Sequence, residues 1–295
     1  MNFNWVSLDR HLMNWLNEDI GRGDQTTSGI ANKEAQDLGK GYWLTKAPGV
    51  ICGLPMANRV FEILANLGGS STQPMLFEQE VAEGEWVETD TTIVRMQGPL
   101  STLLTGERVA LNLAMHLSGI ATTTRKYASE ISDLPAQLVD TRKTTPGLRT
   151  LEKYASRMGG AKNHRMGLDD GVMIKDNHIA AAGGIAQAIK GVRSTMPYPL
   201  TVEVETENLE QVQEALHHGA DIIMLDNMAP AIMKEAVTVI RQHSPNVKIE
   251  GSGNVTLDTI REIALTGVDY ISSSAPITRS PWLDLSMRLE NEKPS

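Results

Sequence analysis

The chain has one cysteine in 295 residues, which excludes an intrachain disulfide framework. That residue, Cys52, sits in the apolar run Val50-Ile51-Cys52. A buried, inert thiol in a reducing compartment is expected there, not a nucleophile. Long apolar runs are also missing, and none approaches the roughly 18 residues that would span a bilayer. The N-terminal stretch is amphipathic and acidic, with no basic start leading into an apolar run, so no signal peptide is expected. There is no GxxxxGK[ST] motif and no strand followed by GxGxxG, so ATP- and NAD-binding domains of those kinds are not supported. Positive charge is in deficit overall, with 27 Lys and Arg against 36 Asp and Glu. These absences together predict a cytoplasmic protein.

Against that background the stretch from Asp140 to His178 stands out. Arg142, Lys143, Arg149, Lys153, Arg157, Lys162, His164, Arg165 and Lys175 all fall within its 39 residues, in a chain of net charge −9. A positive cluster inside a negative protein suits a small anion better than a nucleic acid.

The length allows one large domain or two. Leu8, Leu12, Trp15 and Leu16 recur at helical spacing, predicting an amphipathic helix that ends before Gly21. EDIGRGDQTT then reads as a polar loop. GYWLTKAPGVI reads as strand, turn and strand, and Pro55 to Leu67 as a helix with Val60, Phe61, Leu64 and Leu67 on one face. Glu83-Gly84-Glu85 is a turn between strand-like pieces. These features predict a mixed sheet with helices, an α+β domain, over residues 1–115. The longest helical pattern runs from Ser101 to Ile131, with Leu104, Val109, Leu113 and Leu117 on a buried face, Gly119 as a candidate interruption, and Arg108 among apolar neighbours. It is expected to connect that domain to a second one over 116–278.

In that second domain short apolar runs alternate with helical stretches, and each run ends in polar residues. AQLV ends in Asp140-Thr141-Arg142-Lys143 and GVMI in Lys175-Asp176-Asn177-His178. LTVEV ends in Glu205, and DIIML in Asp226-Asn227. VKIE ends in Gly251-Ser252-Gly253-Asn254, and VDYI in Ser272-Ser273-Ser274. Strands alternating with helices imply a parallel sheet, and polar ends on six of them imply a barrel with its site at that rim. The tight spacing predicts an incomplete (β/α) barrel of about seven strands. The last stretch, 279–295, has an apolar helical face and is expected to pack back on the N-terminal domain.

The rim residues carry recognisable chemistry. Arginine offers carboxylates a planar fork, and lysine a point charge, so Arg142 and Lys143 suit an anion, as do the helix amides from Leu148 onward. His164 and Arg165 lie in a glycine-bracketed loop without metal-ligand spacing. Lys175, at the end of an apolar strand, reads as a Schiff-base nucleophile, a phosphate ligand, or a partner of Asp176. Glu203 and Glu205 share a strand face and, with Asp226, offer oxygen ligands suited to Mg²⁺. The glycine-rich turn at 250–254, expected to open a helix at Thr256-Leu257, and the serines at 272–274 together read as a phosphate cradle.

Several blocks now point to one family: EDIGRGDQTT, GERVALNLAMHLSGIAT, DTRKTTPGLRTLEKYA, GGAKNHRMGLDDGVMIKDNH, VEVET, ADIIMLDN, GSGN and DLSMR. Over nearly its full length the chain resembles quinolinate phosphoribosyltransferases. The resemblance implies a sandwich plus an incomplete barrel, a homodimer, and reaction of quinolinate with phosphoribosyl pyrophosphate and Mg²⁺ to give nicotinate mononucleotide, CO₂ and pyrophosphate. It implies that Arg142, His164 and Arg165, with Lys143 and Thr141 beside them, clamp the dicarboxylate. Arg108 would be donated across the dimer. Lys175, Glu205 and Asp226 would hold the phosphoribosyl group and Mg²⁺, with Lys143, Lys175, Glu205 and Asp226 carrying the catalysis. Ser252, Gly253 and Asn254, with Ser272, Ser273 and Ser274, would cradle the 5′-phosphate. Ser274 stands where the family usually has glycine, which leaves the cradle geometry open. The other readings weighed are a barrel aldolase using Lys175 and a molybdenum-transport accessory paralogue.

Overall fold

A computed structural model describes residues 3–30, 38–67 and 74–290. In chain order its elements are α1 (Trp5–Ile20), α2 (Gln25–Ile30), β1 (Leu38–Thr45), β2 (Gly49–Val50), α3 (Leu54–Leu67), β3 (Leu76–Gln79), β4 (Trp86–Val87), β5 (Thr92–Pro99) and α4 (Leu100–Ser129). There follow β6 (Gln137–Val139), α5 (Arg149–Gly159), β7 (Val172–Ile174), α6 (Asp176–Ala182), α7 (Ile185–Arg193), β8 (Val202–Thr206), α8 (Leu209–His217), β9 (Ile222–Asp226) and α9 (Pro230–His243). The chain closes with β10 (Lys248–Ser252), α10 (Ile260–Ala264), β11 (Tyr270–Ser272), α11 (Ala275–Thr278) and β12 (Leu285–Leu289). Two units divide it: Met1–Thr122 with Pro281–Ser295, and Thr123–Ser280. No helix among the described residues is long and apolar enough to cross a membrane.

The first unit is built on an antiparallel sheet in the order β12-β1-β5-β3. Trp43, Phe61 and Phe77 form its aromatic centre, with ring centroids 6.3, 6.0 and 6.1 Å apart. Leu8, Leu12 and Leu16 of α1 are buried, as their spacing predicts. Arg59 of α3 donates two hydrogen bonds to Asp9 of α1, at 2.9 and 2.7 Å. The buried face of α3 is Met56, Val60, Phe61 and Ile63, whereas Leu67, expected to join it, is exposed. The Glu83 carboxylate accepts the Gly53 and Leu54 amides and so caps α3. Cys52 is fully buried, and burial foremost, with Glu83 beside it, pushes its thiol pKa well up, in keeping with an inert thiol.

Four expectations are corrected here. The stretch EDIGRGDQTT is not all loop: α2 begins at Gln25, and Asp24 accepts the Thr27 amide and hydroxyl at 2.9 and 2.6 Å. The described part of 279–295 holds a strand, not a helix. Leu285, Met287 and Leu289 alternate with Ser286 and Arg288, and β12 pairs with β1 of the first unit. Residues 291–295 lie outside the described residues. The first unit also continues past 115 to Thr122, and resumes at Pro281 in place of 279. Ser118 of α4 bonds the Cys52 amide and carbonyl, and the Thr122 hydroxyl accepts the Val50 amide, which ties those turns of α4 to the first unit. Gly119 does not interrupt α4. A Cβ there would lie 2.1 Å from the Pro281 carbonyl oxygen, so the glycine permits that close approach.

The second unit has a parallel six-stranded sheet in the order β6-β11-β10-β9-β8-β7. Val204, Ile223, Leu225, Ile249 and Ile271 build its core together with Val212, Ala215, Met233, Ala236 and Ile240 from α8 and α9. The barrel is incomplete, as expected. In place of a seventh strand, a single parallel bridge joins Val139 to Lys162. Residues 140–171 are spent on α5 and a polar loop, so β6 and β7 do not pair. Because all six strands are parallel, their polar C-terminal residues gather on one rim.

Candidate active site

A cavity of about 630 Å³ opens on that rim. Thr141, Arg142, Lys143, His164, Arg165, Lys175, Glu205, Asp226, Ser252, Gly253, Asn254, Ser272, Ser273 and Ser274 line it, which is the full predicted set apart from Arg108. Arg108 is exposed on α4 in the first unit.

One end of the cavity is cationic. Arg142 and Arg165 lie close enough that burial first, and the Arg142 charge second, lower the Arg165 pKa. Arg165 is steadied by the Gly171 carbonyl at 3.3 Å and the Met173 sulfur at 3.4 Å. Arg142 has no guanidinium hydrogen bond to protein among the described residues. Two opposed guanidiniums with unused donors are a ready receptor for a carboxylate pair.

The loop that presents His164 and Arg165 hangs on a buried ion pair. Lys153 of α5, fully buried, bonds Asp140 at the end of β6, and its ammonium also donates to the His164 carbonyl at 3.0 Å. Asp140 in turn accepts the His164 amide at 2.8 Å and the Asn163 side-chain amide at 2.6 Å. Helical charge patterning places Lys153 among the surface cations, so this anchor is invisible in the sequence.

His164 Nε2 lies 3.1 Å from Glu203 and 3.4 Å from Glu250, both buried carboxylates. Glu203 does share its inward face with Glu205, but it points at His164 and not at a shared Mg²⁺ site with Asp226. Burial alone would lower the His164 pKa; hydrogen bonds to Glu203 and Glu250, then their charges, outweigh it and push it up to about 10. The Arg165 amide approaches Nδ1 at 2.7 Å, a contact that needs a bare nitrogen and therefore opposes a second ring proton. Burial raises the Glu203 carboxyl in the same cluster. Both shifts favour retention of a proton in this cluster, on the ring or on Glu203. Among the described residues these are the one group of three whose ligand atoms lie within 4.8 Å, but the Nδ1 contact commits Nε2 to donating.

The other end is polar and mixed in charge. Lys175 pairs with Glu205 at 2.5 Å, not with Asp176, whose carboxylate accepts the Asn177 amide. Asp226 accepts the Asn227 side-chain amide at 2.7 Å. Glu250, Gly251 and Ser252 lie within β10, so the turn starts only at Gly253, and α10 begins at Ile260, later than expected. The Thr259 hydroxyl accepts the Thr256 amide and closes the intervening turn. Ser273 donates its amide to the Val139 carbonyl, and its hydroxyl accepts the Ala275 amide. Ser274 has φ −88°, an ordinary right-handed conformation, so no glycine is required there. Arg279, Glu250, Asn227 and Asp140 also line the cavity and were not singled out as site residues from sequence. Arg279 comes a few residues after the serine turn, and that position was its only signal.

Comparison with known proteins agrees over the whole chain. Family models described as quinolinate phosphoribosyl transferase, N-terminal and C-terminal domain, match residues 24–118 and 120–288. The chain is 57% identical over 285 residues to a probable nicotinate-nucleotide pyrophosphorylase (carboxylating) of Synechocystis sp., covering 97% of this chain and 93% of that protein. It is 40% identical over 291 residues to a protein of the same description from Bacillus subtilis, covering 98% and 96%. Among solved structures, NadC from Streptococcus pyogenes gives a TM-score of 0.90 at 37% identity, covering 98% of this chain and 99% of that one. The nicotinate-nucleotide pyrophosphorylase from Francisella tularensis gives 0.89 at 35%, covering 98% of each.

Proposed function

The chain belongs to the quinolinate phosphoribosyltransferase family, and we propose that the rim cavity is where its reaction takes place. It is a pentosyltransferase that moves the phosphoribosyl group of phosphoribosyl pyrophosphate to quinolinate with loss of CO₂, giving nicotinate mononucleotide and pyrophosphate. The aldolase and accessory-protein readings are not favoured. The observation that carries the site assignment is the two-ended cavity, with Arg142, Arg165 and His164 at one end and Lys175, Glu205, Asp226 and the serine and glycine turns at the other.

In this reading Arg142 and Arg165 take the two carboxylates of quinolinate, with Thr141 and Lys143 beside them. His164, expected in the clamp itself, holds the Arg165 backbone in place because both its ring nitrogens are already bonded to protein. Each charge-assisted hydrogen bond contributes about 1.5–3 kcal/mol. Ser252, Gly253, Asn254, Ser272, Ser273 and Ser274 receive the 5′-phosphate, and Arg279 adds a cation there. Lys175 faces the leaving pyrophosphate. As its bond to C1 of the ribose breaks, positive charge grows on the sugar, and the Glu205 or Asp226 carboxylate stabilises it. Glu205 and Asp226, on adjacent strands, offer the hard oxygen donors that suit Mg²⁺ alongside substrate phosphates. When bound, Mg²⁺ supplies charge neutralisation to the pyrophosphate oxygens. Once its nitrogen is ribosylated, the adjacent positive charge stabilises the electron pair left on the ring carbon by departing CO₂, and that carbon then takes up one proton to give the product. The protein holds the ring in place while CO₂ leaves and the proton is added.

The same reading makes the active form a homodimer in which Arg108 reaches the neighbour's cavity, and places the protein in the cytoplasm. An exposed arginine directly before buried Val109 and Ala110 on α4 is consistent with the first point. Two inactive variants, Arg108→Ala and Arg142→Ala, should therefore regain activity when mixed. Random pairing of two single-site defects restores about a quarter of the sites. No recovery, with subunit exchange confirmed, would remove Arg108 from the shared site. The reaction itself is tested by comparing quinolinate with nicotinate as acceptor.

A further inference from the structure

Among the described residues three non-glycine residues have positive φ: Asp90 at 60°, Asn227 at 53° and Asn254 at 48°. Two of the three line the active-site cavity and are bonded to each other. Left-handed backbone is costly for any residue with a Cβ, although asparagine bears it better than most, and such strain persists only where the surroundings enforce it.

Asn227 immediately follows Asp226 at the end of β9, and Asp226 lies opposite Ser252 of β10. Its backbone amide donates to the Ser252 carbonyl at 2.9 Å. Both ends of its side-chain amide are used. The nitrogen donates to the Asp226 carboxylate at 2.7 Å, and the oxygen accepts from the Asn254 side chain at 3.2 Å. Gly253 makes room for it: a Cβ there would stand 2.2 Å from the Asn227 side-chain oxygen.

We infer that Asn227 is a positioning residue for the phosphoribosyl half of the site, bracing the Asp226 carboxylate against the Ser252–Asn254 turn so that the two meet the donor at a fixed spacing. The inference rests on the phosphoribosyl-transfer reading above. It explains the side chain required. Aspartate tolerates the left-handed backbone but turns an oxygen, not a donor, toward Asp226. Glycine keeps the backbone and deletes the brace.

The test is steady-state kinetics of Asn227→Asp and Asn227→Gly, with quinolinate binding measured by calorimetry in the absence of the donor. For Asn227→Asp, kcat/KM toward phosphoribosyl pyrophosphate should fall roughly 100-fold, the scale of a misplaced reacting group. For Asn227→Gly the fall should be about tenfold, while quinolinate affinity stays within about twofold in both and Tm moves little. If one variant fails to fold, the other carries the comparison. Wild-type kinetics in Asn227→Asp would overturn the inference and leave the reaction intact. So would a parallel loss of quinolinate binding, which would make Asn227 a general packing residue. A wild-type protein that forms no nicotinate mononucleotide would overturn the underlying reading as well.

Discussion

Lysine in place of Arg142 is expected to lower kcat/KM for quinolinate about 100-fold, at about 1.4 kcal/mol per decade and 1.5–3 kcal/mol per charge-assisted bond. The guanidinium offers a carboxylate two parallel N–H donors in one plane, whereas an ammonium offers a point charge that cannot hold both oxygens in register. The cavity makes this loss specific. Arg142 forms no guanidinium hydrogen bond to protein among the described residues, and its charge opposes Arg165, so the native fold gains little from it. Thermal stability should therefore hold while catalysis falls. Calorimetric titration with quinolinate, beside a melting curve, separates the two. Near-normal turnover in Arg142→Lys would take Arg142 out of the clamp.

A larger effect on stability is expected at Lys153. Methionine there fills the space of the stem but leaves Asp140, 2% exposed, without its cation. Removing one partner of a buried pair costs about 3–5 kcal/mol, because the remaining charge is still desolvated. In a chain of this size that corresponds to a fall in Tm of about 10 °C. The Asn163 and His164 donors to Asp140 remain, so the damage should be partial, but the His164 carbonyl loses its partner and the clamp loop loosens with it. Asp140→Asn added to Lys153→Met should restore part of the stability, since no buried charge is then stranded. A Lys153→Met protein that melts within about 2 °C of wild type would mean that the pair does not anchor the loop.

How far these features could be read from sequence varies with their physical origin. All six barrel strands were legible, because short apolar runs bounded by polar residues announce buried parallel strands. Their polar ends marked the rim and most of the polar residues that line the cavity. The strand at 285–289 was missed because SPWLDLSMRLENEKPS supports both a helical face and a period of two, and only pairing with β1 decides between them. Lys153, Glu203 and Glu250 were misread or passed over for a different reason. A charged side chain on a helix or strand looks solvated until the fold supplies its partner. Asn254 was named for the phosphate cradle, but Asn227 and the strain at φ 53° and 48° lay further still from view, since that strain belongs to the meeting of two strand ends and has no local code beyond Asp-Asn and Gly-Asn. Ser274 was the converse case. Its departure from the family's glycine suggested a disturbed cradle, yet its backbone conformation needs no glycine.

The central claim is that the cationic end of the rim cavity reads both carboxylates of quinolinate while the other end holds the phosphoribosyl donor. Its most direct test is product analysis after incubation with phosphoribosyl pyrophosphate and Mg²⁺, using quinolinate in one reaction and nicotinate, which lacks the second carboxylate, in the other. The expected result is nicotinate mononucleotide from quinolinate, with one CO₂ and one pyrophosphate per product, and little or none from nicotinate. Equal turnover of nicotinate would contradict the dicarboxylate clamp.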